Sequence, residues 1–255
     1  MSNSEEFVNV AADAARQAGA LLREQANTSK VVDEMLDHDI KLELDVRCQD
    51  LITEIILKAF PDHAIYGEEG LAGNQDSDYQ WIVDPIDGTV NFYFGIPHFC
   101  VSIAVRHAGN MVAGVIYDPM QDELFAVHEG APATLNGHPI SCSPRSELKE
   151  CVVTVGFSKT KESMAAGMKR YGDIAFRVRK TRMLGSAALA MAYIACGRLD
   201  AYIEEIISLW DIAAGKMLVE AAGGRVDLTP SAHAEDKFTI VSSNGRIHEA
   251  LLEFN

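Results

Sequence analysis

The chain has 255 residues, 48% of them apolar, and carries 37 acidic against 22 basic side chains, a formal charge of −15. That length and apolar content exclude a disordered chain and allow one large domain or two closely packed lobes. The charge disfavours nucleic acid and anionic lipid as main partners, since both need a basic surface. It leaves room for a phosphorylated small molecule if cations offset the local charge.

The opening residues MSNSEEFVNV have neither the basic start nor the apolar core of a signal peptide. A helix is predicted over about residues 4–25, with Phe7, Val8, Ala11, Ala15, Ala18, Leu21 and Leu22 on one stripe. Glu5 and Glu6 in its first turn and Arg23 in its last suit the helix dipole. Next, Lys41–Asp45 (KLELD) alternates like a short strand. A second helix follows, with Val46, Ile52, Ile55, Ile56 and Phe60 inward and Pro61 closing it.

From Ala64 to Pro139 the segments AIYGEEG, YQWIVDPIDG, FCVSIAVRHAG, NMVAGVIYDP and DELFAVHEG read as strands broken by turn residues. His107–Met111 and Asp118–Asp122 read as reversals between antiparallel neighbours. The stretch near 140–150 (SCSPRSELKE) is the plausible linker between lobes 1–145 and 146–255. Beyond it, strand and helix alternate: CVVTVGF, a helix over Lys159–Tyr171, the strand FRVRKT, the helix GSAALAMAYIACG, the strand LDAYIE, the helix LWDIAAGKMLVEAAGG, the strands GRVDLT and FTIVSSN, and a last helix IHEALLEF. This is an α+β chain with layers of helices and sheets.

The five cysteines, Cys48, Cys100, Cys142, Cys151 and Cys196, are widely spaced with no CxxC. They read as reduced, mostly buried thiols of a cytoplasmic protein rather than a disulfide framework or zinc site. No run of ~18 apolar residues is present, so no membrane span is expected.

Chemistry concentrates in WIVDPIDGTVNF, Trp81–Phe92. A buried apolar triplet delivers Asp84 at its end, Pro85 stiffens a turn, and Asp87 returns beside Asp84 with the Ile86 carbonyl between them. Gly88 permits close backbone approach, and Thr89 adds a hydroxyl at a helix start. Two carboxylates and a carbonyl form a hard-oxygen set of the kind Mg²⁺ shares with substrate phosphate. Alone, a DxxDG is more often a plain Asx-turn. Here Glu68-Glu69 stands at another strand end shortly upstream, and two acidic pairs aimed at one region need cations to coexist.

The string GEE (Gly67–Glu69), then WIVDPIDGTVNF, then LWDIAAGKMLVEAAGG (Leu209–Gly224) resembles the inositol monophosphatase family over nearly the whole chain. The resemblance implies a layered αβαβα sandwich of the sugar-phosphatase type, two lobes with mixed and antiparallel sheets. It implies a Mg²⁺-dependent, lithium-sensitive phosphomonoesterase with two or three ions per site. The implied metal ligands are Glu68, Asp84, Asp87, Asp211 and the Ile86 carbonyl. Thr89 and Asp45, with Glu68, would activate and orient the attacking water; Asp45 read alone is equally a helix cap. Gly88 and Thr89 would hold phosphate through their backbone. The GSAA segment (Gly185, Ser186, Ala187, Ala188) would touch substrate, as would Asp87 and Asp211. Glu204, seven residues before Asp211, would contact inositol hydroxyls. Glu69 reads as solvated or supporting, Trp81 and Trp210 as core, and His98 takes no acid role.

The implied substrate is inositol 1-phosphate or a similar polyol phosphate. Histidinol phosphate, fructose 1,6-bisphosphate and 3′-phosphoadenosine 5′-phosphate are alternatives within the family, and a non-catalytic, partner-binding role is the alternative outside enzymology. Arg177, Arg179, Lys180 and Arg182 form the one basic cluster that could serve the second phosphate of a bisphosphate, and they read rather as a solvated or dimer-stabilising strand face. A homodimer is implied, with a small phosphate ester as partner and no nucleic acid or membrane. Five clustered acids need bound ions before an anion can approach, so metal removal is expected to abolish phosphate binding together with turnover.

Overall fold

The computed structural model describes residues 3–26, 32–36, 39–157, 161–231 and 236–254. Helix α1 spans Asn3–Gln25; the strands β1 (Val32–Leu36) and β2 (Asp39–Leu42) form a small antiparallel hairpin; helix α2 spans Glu43–Ala59. The strands β3 (Ala64–Gly67), β4 (Gly70–Gly73) and β5 (Tyr79–Asp87) follow, then the short helix α3 (Thr89–Tyr93). Strands β6 (Cys100–His107), β7 (Asn110–Asp118), β8 (Glu123–His128), β9 (Thr134–Leu135) and β10 (His138–Pro139) complete an eight-stranded sheet in the order β10-β9-β8-β7-β6-β5-β3-β4. Its neighbours are antiparallel except β3 and β5, which run parallel.

A 3₁₀ turn at Leu148–Glu150 leads into β11 (Val152–Val155), α4 (Lys161–Ala175), β12 (Lys180–Arg182), α5 (Ala187–Ala195), β13 (Ala201–Ser208), α6 (Leu209–Ala221), β14 (Arg225–Pro230), β15 (Lys237–Ser243) and α7 (His248–Leu252). The second, five-stranded sheet is mixed, in the order β12-β11-β13-β15-β14.

Side-chain alternation along the strands explains the layering. Trp81 and Val83 of β5 join Phe7, Leu22, Ile52 and Ile56 in a core under α1 and α2, whereas Ile82 joins the core of α5 and α6. That middle core also takes Tyr202, Val226 and Ile240 from the second sheet. On the far face, Val153, Ile203 and Val241 pack with Ile174 of α4 and Leu251 of α7. The order is therefore helix, sheet, helix, sheet, helix, as the resemblance implies. Small residues let the middle helices sit close: a Cβ added at Gly114 would lie 3.1 Å from the Ala214 Cα of α6.

The segment between the sheets is anchored on Asp200, which is fully buried. Asp200 accepts bonds from the Ser143 hydroxyl, from Arg145 Nη1 (2.9 Å) and from the Val152 N–H (2.7 Å).

Four expectations change. The strand of KLELD ends at Leu42, and Glu43–Asp45 form the first turn of α2. Val46 is 40% exposed, because the inward face of α2 carries Leu44, Asp45, Cys48, Gln49, Ile52 and Ile56. FRVRKT is strand only from Lys180, since α4 continues to Ala175; Phe176 then stands 93% exposed. Finally β5 does not stop at Asp84 but runs through Pro85 to Asp87, with an irregular register against β6 between the two aspartates. The expected start of α4 at Lys159 lies outside the described residues.

Candidate metal centre

The centre forms where β5 ends against the first turns of α5 and α6. Asp84 shares the face of Ile82, toward the middle helices. The irregularity at Pro85–Ile86 then lets Asp87 point the same way. Asp84 Oδ1 accepts the Ile86 N–H at 3.0 Å, an Asx-turn within the motif. Asp84 and Asp87 are buried. Together with Asp211 they offer carboxylate oxygens that all lie within 4.8 Å of one another.

Asp211 comes from α6, where it is the third helical residue. Its Oδ2 accepts the Ser208 N–H at 2.9 Å, half of a capping box with the Ser208 side chain. One carboxylate thus caps a helix and faces two others, and the positive end of α6 favours it there. Lys237, which donates to the Ser208 hydroxyl and stands over the Trp210 ring, adds further positive charge.

Asp87 is the most heavily braced of the three. Its Oδ2 accepts the Ser186 hydroxyl and the Ala188 N–H (2.8 Å), its Oδ1 the Ala187 N–H (3.2 Å), and the buried Cys100 thiol lies 3.6 Å from Oδ2. Ser186 is itself the cap of α5, accepting the Leu189 N–H at 3.2 Å. The GSAA segment therefore meets Asp87 directly, with the Ser186 hydroxyl and two N–H groups turned to that carboxylate.

Gly88 precedes α3 with φ 99°, a left-handed conformation. A Cβ there would lie 3.1 Å from the His98 carbonyl oxygen and 3.2 Å from that of Gly185. The Thr89 hydroxyl donates to the Ile86 carbonyl at 2.9 Å, so the two groups expected at the centre are already joined.

Glu68 occupies the turn between β3 and β4, its N–H bonded to the Val83 carbonyl at 3.0 Å. Asp45 is the third residue of α2, not its cap residue, and its Oδ2 accepts the Leu42 N–H at 2.8 Å. Neither belongs to the tight trio, yet both act on it. The Asp84 carboxyl is held well above the usual carboxylate range, first by burial and then by Glu68, Asp87, Asp211 and Asp45. Asp87 is pushed up to about 6 by burial and Asp211, against the opposing pull of its Ser186, Ala188 and Ala187 bonds. Burial likewise raises Asp211, opposed by the Ser208 N–H and Lys237. A cluster of hard oxygen donors that repel one another in a buried space fits a divalent cation such as Mg²⁺.

Glu204 of β13 receives the hydroxyl of the buried Tyr202. The Tyr202 phenol is raised well above its usual range by burial, then by Glu204, Asp211 and Asp87, so this corner borders the trio. Trp81 is core, and its Nε1 donates to His63 Nδ1 at 3.0 Å; Trp210 is partly buried.

Two supporting residues escape a reading for ligands. Asn91 Nδ2 donates to the carbonyls of His98 and Leu184, both at 2.8 Å, tying α3 to the segment before α5. Gln49 Oε1 accepts the Glu69 N–H at 2.9 Å and its Nε2 donates to the Gly70 carbonyl at 3.2 Å, bracing the turn of Glu68. The available signals are Asn91 inside the DPIDGTVN string and Gln49 one helical turn after Asp45.

A model of the inositol monophosphatase family matches residues 3–253. Inositol monophosphatase 1 of Solanum lycopersicum is 38% identical, over 98% of this chain and 94% of its own length. Nus factor SuhB of Escherichia coli K12 is also 38% identical, over 96% of this chain and 94% of its own. The solved inositol monophosphatase from Anabaena (Nostoc) sp. PCC 7120 superposes with a TM-score of 0.85 at 38% identity, covering 99% of this chain and 96% of the other.

Proposed function

The chain belongs to the inositol monophosphatase family and is a phosphoric monoester hydrolase, and on that premise we propose that it hydrolyses inositol 1-phosphate or a similar polyol phosphate with Mg²⁺. The observation that carries this reading is the convergence of Asp84 and Asp87 of β5 with Asp211 of α6, whose carboxylate oxygens lie within 4.8 Å of one another. The family is metal-dependent; we infer two or three Mg²⁺ ions per site. Asp84, Asp87, Asp211, Glu68 and the Ile86 carbonyl would hold them. When bound, the ions supply positive charge that acidifies water and offsets charge developing on the leaving oxygen.

The remaining work falls to the protein as positioning, which dominates phosphoryl transfer. The backbone N–H groups of Gly88 and Thr89 would hold phosphate. Thr89 and Asp45 would orient the attacking water, with Asp45 fixed by the Leu42 N–H. Ser186 and the Ala187 and Ala188 N–H groups lock Asp87 in place, while Gly185 and Ala187 line the substrate side. Glu204, oriented by Tyr202, would accept hydrogen bonds from the polyol.

The test is phosphate release with Mg²⁺ on inositol 1-phosphate, histidinol phosphate, fructose 1,6-bisphosphate and 3′-phosphoadenosine 5′-phosphate, with and without Li⁺, using Asp87→Asn as blank. Preference for inositol 1-phosphate with lithium inhibition supports the reading; preference for another ester reassigns the substrate. No release from any of them, with Mg²⁺ shown to bind, favours a partner-binding role, to which the likeness to a Nus factor lends support. We also infer a cytoplasmic homodimer. The five free thiols suit a reducing compartment, and the homodimer is what the family resemblance implies. Among the described residues no helix is long and apolar enough to cross a membrane. Light scattering at twice the 27.8 kDa chain mass would support the dimer.

A further inference from the structure

Strand β13 loses its register immediately after Glu204. Glu204 faces Ile240 of β15, yet Ile207 faces Phe238, so Glu205 and Ile206 together stand opposite a single residue, Thr239. The extra residue inverts the alternation of the strand. Tyr202 faces the middle helices and Ile203 the outer ones, while Ile207, which would otherwise follow Ile203, packs on the middle core. Ile206 takes φ 58°. A β-branched residue in the left-handed region is strained, and such a conformation persists only where its surroundings over-determine it.

The surroundings are specific. Glu205, the first of the two bulge residues, keeps the outward direction of Ile203 and receives Arg170 Nη2 of α4 at 2.5 Å, and Arg170 Nε donates to the Phe254 carbonyl at 2.8 Å. The Arg170 side chain is only 8% exposed, so the pair is largely shielded from solvent. On the other side of the strand the Tyr202 hydroxyl donates to Glu204, and Gly156 leaves the space that the Glu204 carboxylate fills.

We propose that Arg170 is a positioning residue for substrate selection: by holding Glu205 outward it maintains the strained bulge at Ile206 and so aims Glu204 at the polyol hydroxyls. This rests on the reading of Glu204 as the group that meets the polyol. Arg170 itself touches no reacting atom. Its role predicts an effect that depends on the alcohol half of the substrate and leaves phosphate chemistry intact.

The experiment compares inositol 1-phosphate with p-nitrophenyl phosphate, which has no polyol, for the full-length Arg170→Met, Arg170→Lys, Glu205→Gln and Glu204→Ala proteins. Arg170→Met and Glu205→Gln are expected to raise KM for inositol 1-phosphate about tenfold while kcat/KM for the aryl ester stays within about twofold. Because the two residues act as one unit, a protein carrying both Arg170→Met and Glu205→Gln, assayed alongside, is expected to be no worse than either single variant. Arg170→Lys, which keeps the charge but not the second bond to Phe254, restores part of the loss. Equal losses on both substrates in Arg170→Met and Glu205→Gln, or no loss at all, against a selective loss in Glu204→Ala, overturn the role of Arg170 alone. Absence of selectivity in Glu204→Ala overturns the reading of Glu204 and the proposal with it. Glu205→Gln keeps the side-chain length at a partly exposed position, so it decides the matter should Arg170→Met fail to fold.

Discussion

The N–H of Glu69 is held 2.9 Å from the side-chain oxygen of Gln49, one turn along α2 from Asp45. Through this bond and the one from Nε2 to the Gly70 carbonyl, a buried glutamine sets the turn that presents Glu68. The Gln49 amide fills the space beside Gly67, where an added Cβ would lie 2.0 Å from Oε1. Replacing Gln49 with Ala is therefore expected to lower activity and raise the Mg²⁺ concentration needed for half-maximal rate, by about 10–100-fold as for other residues that support metal ligands. A Mg²⁺ titration of phosphate release checks this; an unchanged half-saturation point would leave Gln49 a packing residue.

Protons and metal compete for the same carboxylates. The folded-state pKa of Asp87 is about 6, above its ordinary 3.8, and Asp84 and Asp211 shift in the same direction. For an acid so raised, the metal-free fold binds more protons than the unfolded chain between 3.8 and about 6. This contribution to stability is therefore present at low pH and is lost as pH rises through that window. Mg²⁺ should consequently raise Tm clearly at pH 7.5, and the increment should shrink as pH falls toward 5. Thermal denaturation with Mg²⁺ and with EDTA across this range measures it. An increment independent of pH would contradict the assignment of these acids as the metal ligands.

Gly156 faces Glu204 so closely that an added Cβ would lie 1.6 Å from Oε2. The clashing atom is the end of a flexible side chain, so the carboxylate moves and the backbone does not. Gly156→Ala is expected to lower Tm by a few °C, as for the loss of about 1–2 kcal/mol when the buried Tyr202 hydroxyl loses its acceptor, while raising KM for inositol 1-phosphate. Steady-state kinetics beside a melting curve separate the two effects, and a large fall in Tm would show that the backbone yields instead.

Asp200 gathers four donors in a fully buried position, Ser143, Arg145, the Val152 N–H and, at 3.5 Å, Asn244 Nδ2. Asp200→Ala leaves the Ser143 hydroxyl and the Val152 N–H without that acceptor and removes the partner of the partly exposed Arg145 guanidinium. A loss of about 1–3 kcal/mol is expected, the cost of leaving buried donors without their acceptor, because the Arg145 end of the network is partly exposed to solvent. Urea unfolding gives the value directly. Activity per folded molecule should be unchanged, because the network joins the segment before β11, the entry to β13 and the exit of β15 rather than the carboxylate trio.

The ligand strings were legible because the chemistry is compressed into them: Asp84, Asp87 and Thr89 lie within one strand end, and Asp211 opens a helix. The layers were legible from alternation and apolar stripes. Supporting polar residues were not, since burial of Asp45 and Gln49 reverses the usual rule that the apolar residues of a helix mark its inner face. An apolar Val46 reads as inward for that reason, yet it stands 40% exposed while Asp45 and Gln49 are buried. Pro85 reads as a terminator, yet the strand continues past it at an irregular position where no regular ladder bond is required. FRVRKT alternates like a strand, but an exposed segment needs no apolar period to leave a helix, and here only its last residues meet β11.

Two of the trio come from the first sheet and the third from a helix that follows β13. During synthesis Asp84 and Asp87 leave the ribosome long before Asp211. A nascent or truncated chain that stops short of α6 therefore displays the whole DPIDGT string with only part of the carboxylate set. Full assembly of the metal centre is thus a late event, and competence to bind a cation reports that the end of β5 and the start of α6 have been brought together.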